Sequence, residues 1–238
     1  VLPPLNAVVD ARELGTLAVG VARTPGRATI TLLGSDGTGV SGHTVLVDGI
    51  RAVRCGAGCY RGPARPGPLR VTVTGRTLTF VVPASAPDAR TLLRNITKRY
   101  RAARTIVFDE SLASSPTDVQ KSRFDIVAPD RLSYAIDGGP SAIVIGAVRW
   151  DRDRPSEPWL KSQQTPLDVT QPYWQTTTNV HLVAPGVLTF LDRRVPAWFR
   201  VTLAGQLPTQ MHMTAAAHFM TDRYVEFNGP LAVSPPSR

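Results

Sequence analysis

Along the first third of the chain, apolar and polar residues alternate in short bursts and never settle into helical spacing. The segments "TLAVGVA", "ATITLLG", "HTVLVDG", "RAVRC", "LRVTVTG" and "RTLTFVV" are rich in β-branched residues and are separated by Gly, Asp and Pro. Alternation with period two sorts side chains onto the two faces of a strand, so these segments predict strands joined by tight turns. Six or seven strands in about 85 residues predict a small β-sandwich of immunoglobulin-like build.

The period changes in "ASAPDARTLLRNITKRYRAART", where Ala89, Leu92, Leu93, Ile96, Tyr100 and Ala103 recur at helical spacing. Ser85 with Asp88 three positions on, and Pro87 in the first turn, predict the helix start. The opposite stripe of Arg90, Arg94, Lys98 and Arg101 reads first as a solvated face, and second as a surface for anionic lipid headgroups. The boundary falls at about residue 85, giving domains 1–84 and 85–238.

Beyond the helix, "RTIVFDESLAS", "SRFDIVAPDRLSYAI", "SAIVIGAVRWDRD", "PWLKSQQTP", "VLTFLDRRVPAWFRVTLA" and "TQMHMTAAAHFM" read as long strands joined by polar turns. "TPLDVTQPYWQTTTNVHLV" is irregular, with room for a short helix. A long antiparallel sheet preceded by one amphipathic helix predicts a half-barrel closing over that helix, an arrangement that tends to enclose apolar space. The expected fold class is mainly β: an Ig-like sandwich, then an antiparallel half-barrel wrapping a helix.

The net charge is +9, with 24 Arg against 3 Lys. Arg and Asp are mixed along most of the chain and no basic cluster is interleaved with aromatics, so nucleic acid is not an expected partner. No apolar run approaches the roughly 20 residues needed to cross a bilayer as a helix. The opening "VLPPLNAVVDAREL" lacks an initiator Met and reads as a mature or excised fragment. Cys55 and Cys59 flank Gly56-Ala57-Gly58, a tripeptide able to turn the chain back, so a disulfide and an oxidising compartment are expected ahead of a two-thiolate metal site. Gly37, Gly39 and Gly42 match a dinucleotide-binding spacing, but a strand-like segment follows them where a helix is required, so they read as turn residues.

The second half carries a resemblance. Pro129, Arg131 and Tyr134, then Gly146 and Trp150, then Tyr224, Phe227, Asn228, Pro230 and Pro235 form phrases similar to those of the LolA and LppX/LprG lipoprotein-carrier superfamily. "GSDGTGVSGHTVLVDG" and "CGAGCY" resemble a YtkA-like immunoglobulin-type module. In this order, after "LPPLNAVV", they resemble the extracytoplasmic C-terminal part of actinobacterial copper-resistance D (CopD) family membrane proteins. The resemblance implies an exported domain pair tethered to its own N-terminal membrane domain. It also implies a half-barrel cavity for a lipid or other hydrophobic small molecule. Candidate lining residues are Leu92, Ile96, Tyr134, Val144, Trp150, Trp174, Trp198, Met211 and Met213.

"MHMTAAAHFM" gathers all three methionines and two of the four histidines. Thioether and imidazole suit copper, so Met211, His212, Met213, His218 and Met220 are candidate copper ligands. Read as one strand, the cluster divides: Met211 and Met213 lie on one face, His212, His218 and Met220 on the other. The expectation is therefore packing, without a closed high-affinity copper site. No G-x-S-x-G turn, C-x-x-C or H-E-x-x-H occurs, and Asp109, Glu110, Asp151 and Asp153 read as solvated loop carboxylates. A non-enzymatic lipid-binding module is the leading expectation, with copper delivery and an interaction scaffold as alternatives.

Overall fold

The computed structural model describes residues 3–237. It is mainly β, with one helix and large antiparallel sheets. The first nine strands are β1 (Val8–Leu14), β2 (Leu17–Thr24), β3 (Arg27–Leu33), β4 (Val45–Val47), β5 (Ile50–Arg51), β6 (Val53–Gly56), β7 (Cys59–Pro63), β8 (Leu69–Val73) and β9 (Arg76–Phe80). They form a five-stranded sheet in the order β1-β2-β3-β7-β6 and a four-stranded sheet in the order β5-β4-β8-β9. Val8, Val19, Val21, Ile30 and Leu32 from the first sheet meet Val45, Val47, Leu69, Val71 and Phe80 in a closed core. Cys55 and Cys59 are disulfide-bonded across the β6–β7 turn, with Cα atoms 5.0 Å apart. Gly39 packs on that turn, and a Cβ there would lie 2.6 Å from the Ala57 carbonyl carbon.

The helix α1 spans Arg90–Arg101 and buries Leu93, Ile96 and Tyr100. Its start differs from the Ser85/Asp88 expectation. Ala89 is the N-cap without a side-chain cap, because residues 87 and 89 serve as an edge for a neighbouring strand: Ala89 N–H donates to Val180 O, and Leu182 N–H to Pro87 O. Asp88 still accepts from the Arg90 N–H at 3.1 Å.

Eleven further strands follow: β10 (Thr105–Ser115), β11 (Asp118–Val127), β12 (Arg131–Ile136), β13 (Ser141–Ile145), β14 (Val148–Arg152), β15 (Leu160–Gln163), β16 (Thr177–Ala184), β17 (Val187–Asp192), β18 (Ala197–Ala204), β19 (Leu207–Ala215) and β20 (His218–Phe227). They make one antiparallel sheet in the order β15-β14-β13-β12-β11-β10-β20-β19-β18-β17-β16. Four segments expected as single long strands are in fact hairpins: β11–β12, β13–β14, β17–β18 and β19–β20. The irregular stretch before β16 holds no helix.

Side chains on the concave face of this sheet and on α1 form a single core containing Phe108, Trp174, Phe190, Phe199, Met211 and Tyr224. The opposite face packs on the sandwich. Ala7, Val9, Ala18 and Ala22 meet Leu191, Trp198 and Phe219 there. The outward residues of β2 are Ala18, Gly20 and Ala22, small enough for Trp198 to lie directly on the strand. Asn179 Nδ2 donates to Pro4 O and Ala7 O, and Arg200 pairs with buried Asp10 at 3.0 Å. The junction thus joins apolar burial to satisfied polar groups, which locks orientation as well as contact.

Candidate ligand site at the mouth of the half-barrel

The space between sheet and helix is filled by aromatic side chains. Tyr100 of α1 meets Trp174, Tyr224 and Phe227 edge-on at 5.9–6.3 Å between ring centroids. Phe190 stacks on Phe199 at 5.1 Å, and Phe108 on Phe124 at 4.7 Å. Trp174 is tied to the helix by its Nε1–H, which donates to Thr97 Oγ1 at 2.9 Å.

Open space lies at one end. A crevice of about 310 Å³ is bordered by Phe199, Met213, Ala215, Ala197, Val195 and Pro196, with Leu33 and Gly37 of the sandwich opposite. Tyr173, Asp192, Arg194 and His218 bring polar groups to its rim. Tyr173 roofs the opening. Its ring is exposed, whereas its hydroxyl turns inward and donates to Glu110 Oε2 at 3.4 Å.

Beneath that contact sits a pair of carboxyls. Glu110 and Asp222 are directly opposed on β10 and β20, both on the concave face, with Asp222 fully buried. Glu110 is thus a mid-strand interior residue rather than a solvated loop carboxylate, since it shares a strand face with Phe108. Asp222 Oδ2 accepts from the Tyr224 hydroxyl at 3.5 Å, and Oδ1 has no hydrogen-bond partner. Burial, reinforced by the neighbouring Glu110 charge, pushes Asp222 up to about 8. Burial raises Glu110 too, against the Tyr173 hydrogen bond. Two adjacent acids cannot both ionise cheaply, so the pair holds a proton at neutral pH. The hydroxyls of Tyr100, Tyr173 and Tyr224 are raised as well, chiefly by burial, and stay neutral.

The nine residues expected to line a cavity do not come together. Ile96, Trp174 and Met211 belong to the closed core, and Leu92 packs against it. Tyr134 and Val144 lie farther along the concave face, where Tyr134 OH accepts from Arg149 at 3.1 Å. Trp150 points to the other face, opposite Ile143 and beneath Lys161 Nζ at 5.8 Å from its ring centre. Trp198 also faces away, onto the sandwich. Only Met213 borders the crevice. Phe199, Tyr173 and Ala215 were missed, although "AWFRVTLA" does show the alternation that sets Phe199 apart from Trp198, and His218 was named as a copper candidate rather than a lining residue.

The copper candidates are also rearranged. Residues 216 and 217 form a two-residue turn, so His218 and Met220 keep to one face of β20 but come round to the face of Met211 and Met213, with Met220 opposite Met213 and His218 opposite Ala215. His212 lies on the other face with its Nδ1 2.9 Å from Thr221 Oγ1, and His218 is exposed at the turn. Among the described residues no group of three or more His, Cys, Asp or Glu could hold a metal ion.

Two other concavities are more polar or more open. The interdomain cleft, about 580 Å³, is lined by Asp10, Arg12, Glu13, Arg200 and His212, with Asp10 and Arg200 already paired. The groove beside α1 carries Arg90, Arg94 and Arg101. No protein-family model and no curated protein matches the chain.

Proposed function

We propose that this chain is a non-enzymatic, extracytoplasmic binding module that takes the end of a lipid chain or another apolar small molecule beneath Tyr173. The crevice carries the reading: it joins an apolar wall to a polar rim, and its volume of about 310 Å³ sits at the lower end of the roughly 300–1,000 Å³ usual for small-molecule sites. Each methylene moved there from water contributes about 0.8 kcal/mol, so four or five contribute about 3–4 kcal/mol. That corresponds to a Kd near 1 mM before any headgroup contact. The module therefore suits transient uptake and release rather than tight storage.

The closed Cys55–Cys59 pair supports an oxidising location. The resemblance to CopD-family C-terminal regions supports a membrane tether in the full-length protein and a link to copper handling. A scaffold with a self-filled half-barrel is the second reading, favoured by the aromatic packing under α1. Titration with a fluorescent medium-chain fatty acid separates them. Ala216 also borders the crevice, so saturable one-to-one binding, weakened by the crevice-filling Ala216→Trp, is the expected result. Linear, non-saturable partitioning unaffected by Ala216→Trp would leave the scaffold reading standing.

A further inference from the structure

We propose that the cleft between the two domains is a second ligand site, one that takes a small hydroxylated organic acid of the sugar-acid type. The inference does not depend on what occupies the crevice beneath Tyr173. Strand register builds the floor of the cleft. Arg200 of β18 pairs with His212 of β19, His212 with Thr221 of β20, and Thr221 with Ser111 of β10. These four residues form one row on the convex face, and with strands about 4.8 Å apart the row runs for about 14 Å. On the next same-face rung Trp198 and Phe219 pack against the sandwich and close that end. β1 supplies the facing wall with Asp10, Arg12 and Glu13, and the β10–β11 hairpin adds only uncharged residues. The enclosed space is about 580 Å³, ample for a small molecule and placed at a domain interface, where such sites concentrate.

The donors along this row are only partly used. Asp10 takes Arg200 Nη1 at 3.0 Å, which leaves the Nε and Nη2 edge of the guanidinium for a ligand. Such a fork matches the two oxygens of a planar carboxylate. Arg12 lies over the Phe80 ring at 5.8 Å and forms no ion pair among the described residues. His212 Nδ1 sits 2.9 Å from Thr221 Oγ1, so its Nε2 is the nitrogen left for a ligand. His212 also gives the sign of the field. Burial holds its imidazole below the usual range, Arg200 and Arg12 lower it further, and only Glu13 opposes them. Positive charge thus prevails at the row and favours an anionic ligand. Thr221, Ser111 and Gln210 add groups that both donate and accept, which suits hydroxyls carried beside the carboxylate.

NMR of the four histidine imidazoles, followed while D-glucuronate is added, tests the site on the unaltered protein. The His212 signals should shift saturably and its pKa should rise, whereas His43, His181 and His218, which lie outside the cleft, should stay still. By calorimetry, Arg12→Gln and Arg200→Lys should each weaken one-to-one binding about 10-fold. The lysine keeps a cation beside Asp10 but lacks the fork, and circular dichroism with a thermal melt checks that both variants are folded. Ala216→Trp, which fills the crevice, should leave glucuronate binding unchanged, so the two sites fail or succeed separately. Glucose, which lacks the charge, and inorganic phosphate, which lacks the planar carboxylate, should bind about 10-fold more weakly or less. No saturable shift of His212, an equal shift of His218, full affinity in Arg200→Lys, or equal binding of glucose or phosphate would overturn the proposal.

Discussion

Gly20 is the point where the two halves of the molecule can be tested against each other. It lies mid-strand in β2, on the face turned towards the large sheet, and a Cβ there would fall 2.6 Å from Trp198 Cε2 and 2.9 Å from Cη2. No carbon fits at that distance, so Gly20→Ala must push the indole away or part the sheets. Overpacking of this kind costs about 1–3 kcal/mol. Alanine by itself is better than glycine within a strand, by about 0.5–1 kcal/mol. Clash outweighs propensity, and the net loss should lower Tm by about 2–8 °C in a chain of this size. If Trp198 is first removed, the clash disappears and propensity alone remains. Gly20→Ala made in the Trp198→Ala protein should then raise Tm by about 1–4 °C, although Trp198→Ala is itself destabilising by about 3–5 kcal/mol. Calorimetry of the four proteins reads this reversal of sign directly. Equal, same-sign effects of Gly20→Ala in both backgrounds would refute the docking of Trp198 on β2.

Asp222 titrates at about 8 when folded and near 3.9 when unfolded, so the folded state binds the extra proton between those values. The protein should therefore lose stability as pH rises from about 4 to 8, at a limiting slope of about 1.4 kcal/mol per pH unit. Asp222→Asn, which removes the charge facing Glu110, should flatten that slope in urea melts at stepped pH, and an unchanged slope would contradict the assignment. Reducing the Cys55–Cys59 bridge, which closes a very short loop, should cost about 2 kcal/mol by loop entropy, seen as a modest Tm loss with the circular dichroism spectrum retained. Buried Arg23 donates to the carbonyls of Gly67, Val82 and Arg65. Arg23→Met should cost about 3 kcal/mol or more, because those acceptors lose their donor, and a chemical melt showing under 1 kcal/mol of loss would mean that water replaces the guanidinium.

Much of the architecture was legible because each half follows one period. The sandwich strands alternate, and α1 shows Leu93, Ile96 and Tyr100 on one face. β1 was not legible for a physical reason: Val8 enters the sandwich core while Val9 meets the large sheet, so both faces are apolar and alternation is lost. The β19–β20 turn was hidden differently. It consists of Ala216 and Ala217, and Ala217 takes a left-handed φ of 54° without the Gly or Asn that would announce it. Missing that turn reversed the face assigned to His218 and Met220 relative to Met211 and Met213. Asp222 and Glu110 were beyond reach for a related reason: they are adjacent only through the pairing of β10 with β20, two strands distant in sequence.

The apolar crevice beneath Tyr173 is tested most directly by a crystal structure of the protein soaked with a fatty acid brominated at its terminal carbon. The anomalous bromine signal should appear between Phe199 and Met213, inside the rim formed by Tyr173 and His218. A bromine found only beside Arg90 and Arg94 on the helix surface, or no ordered bromine at a saturating dose, would contradict it.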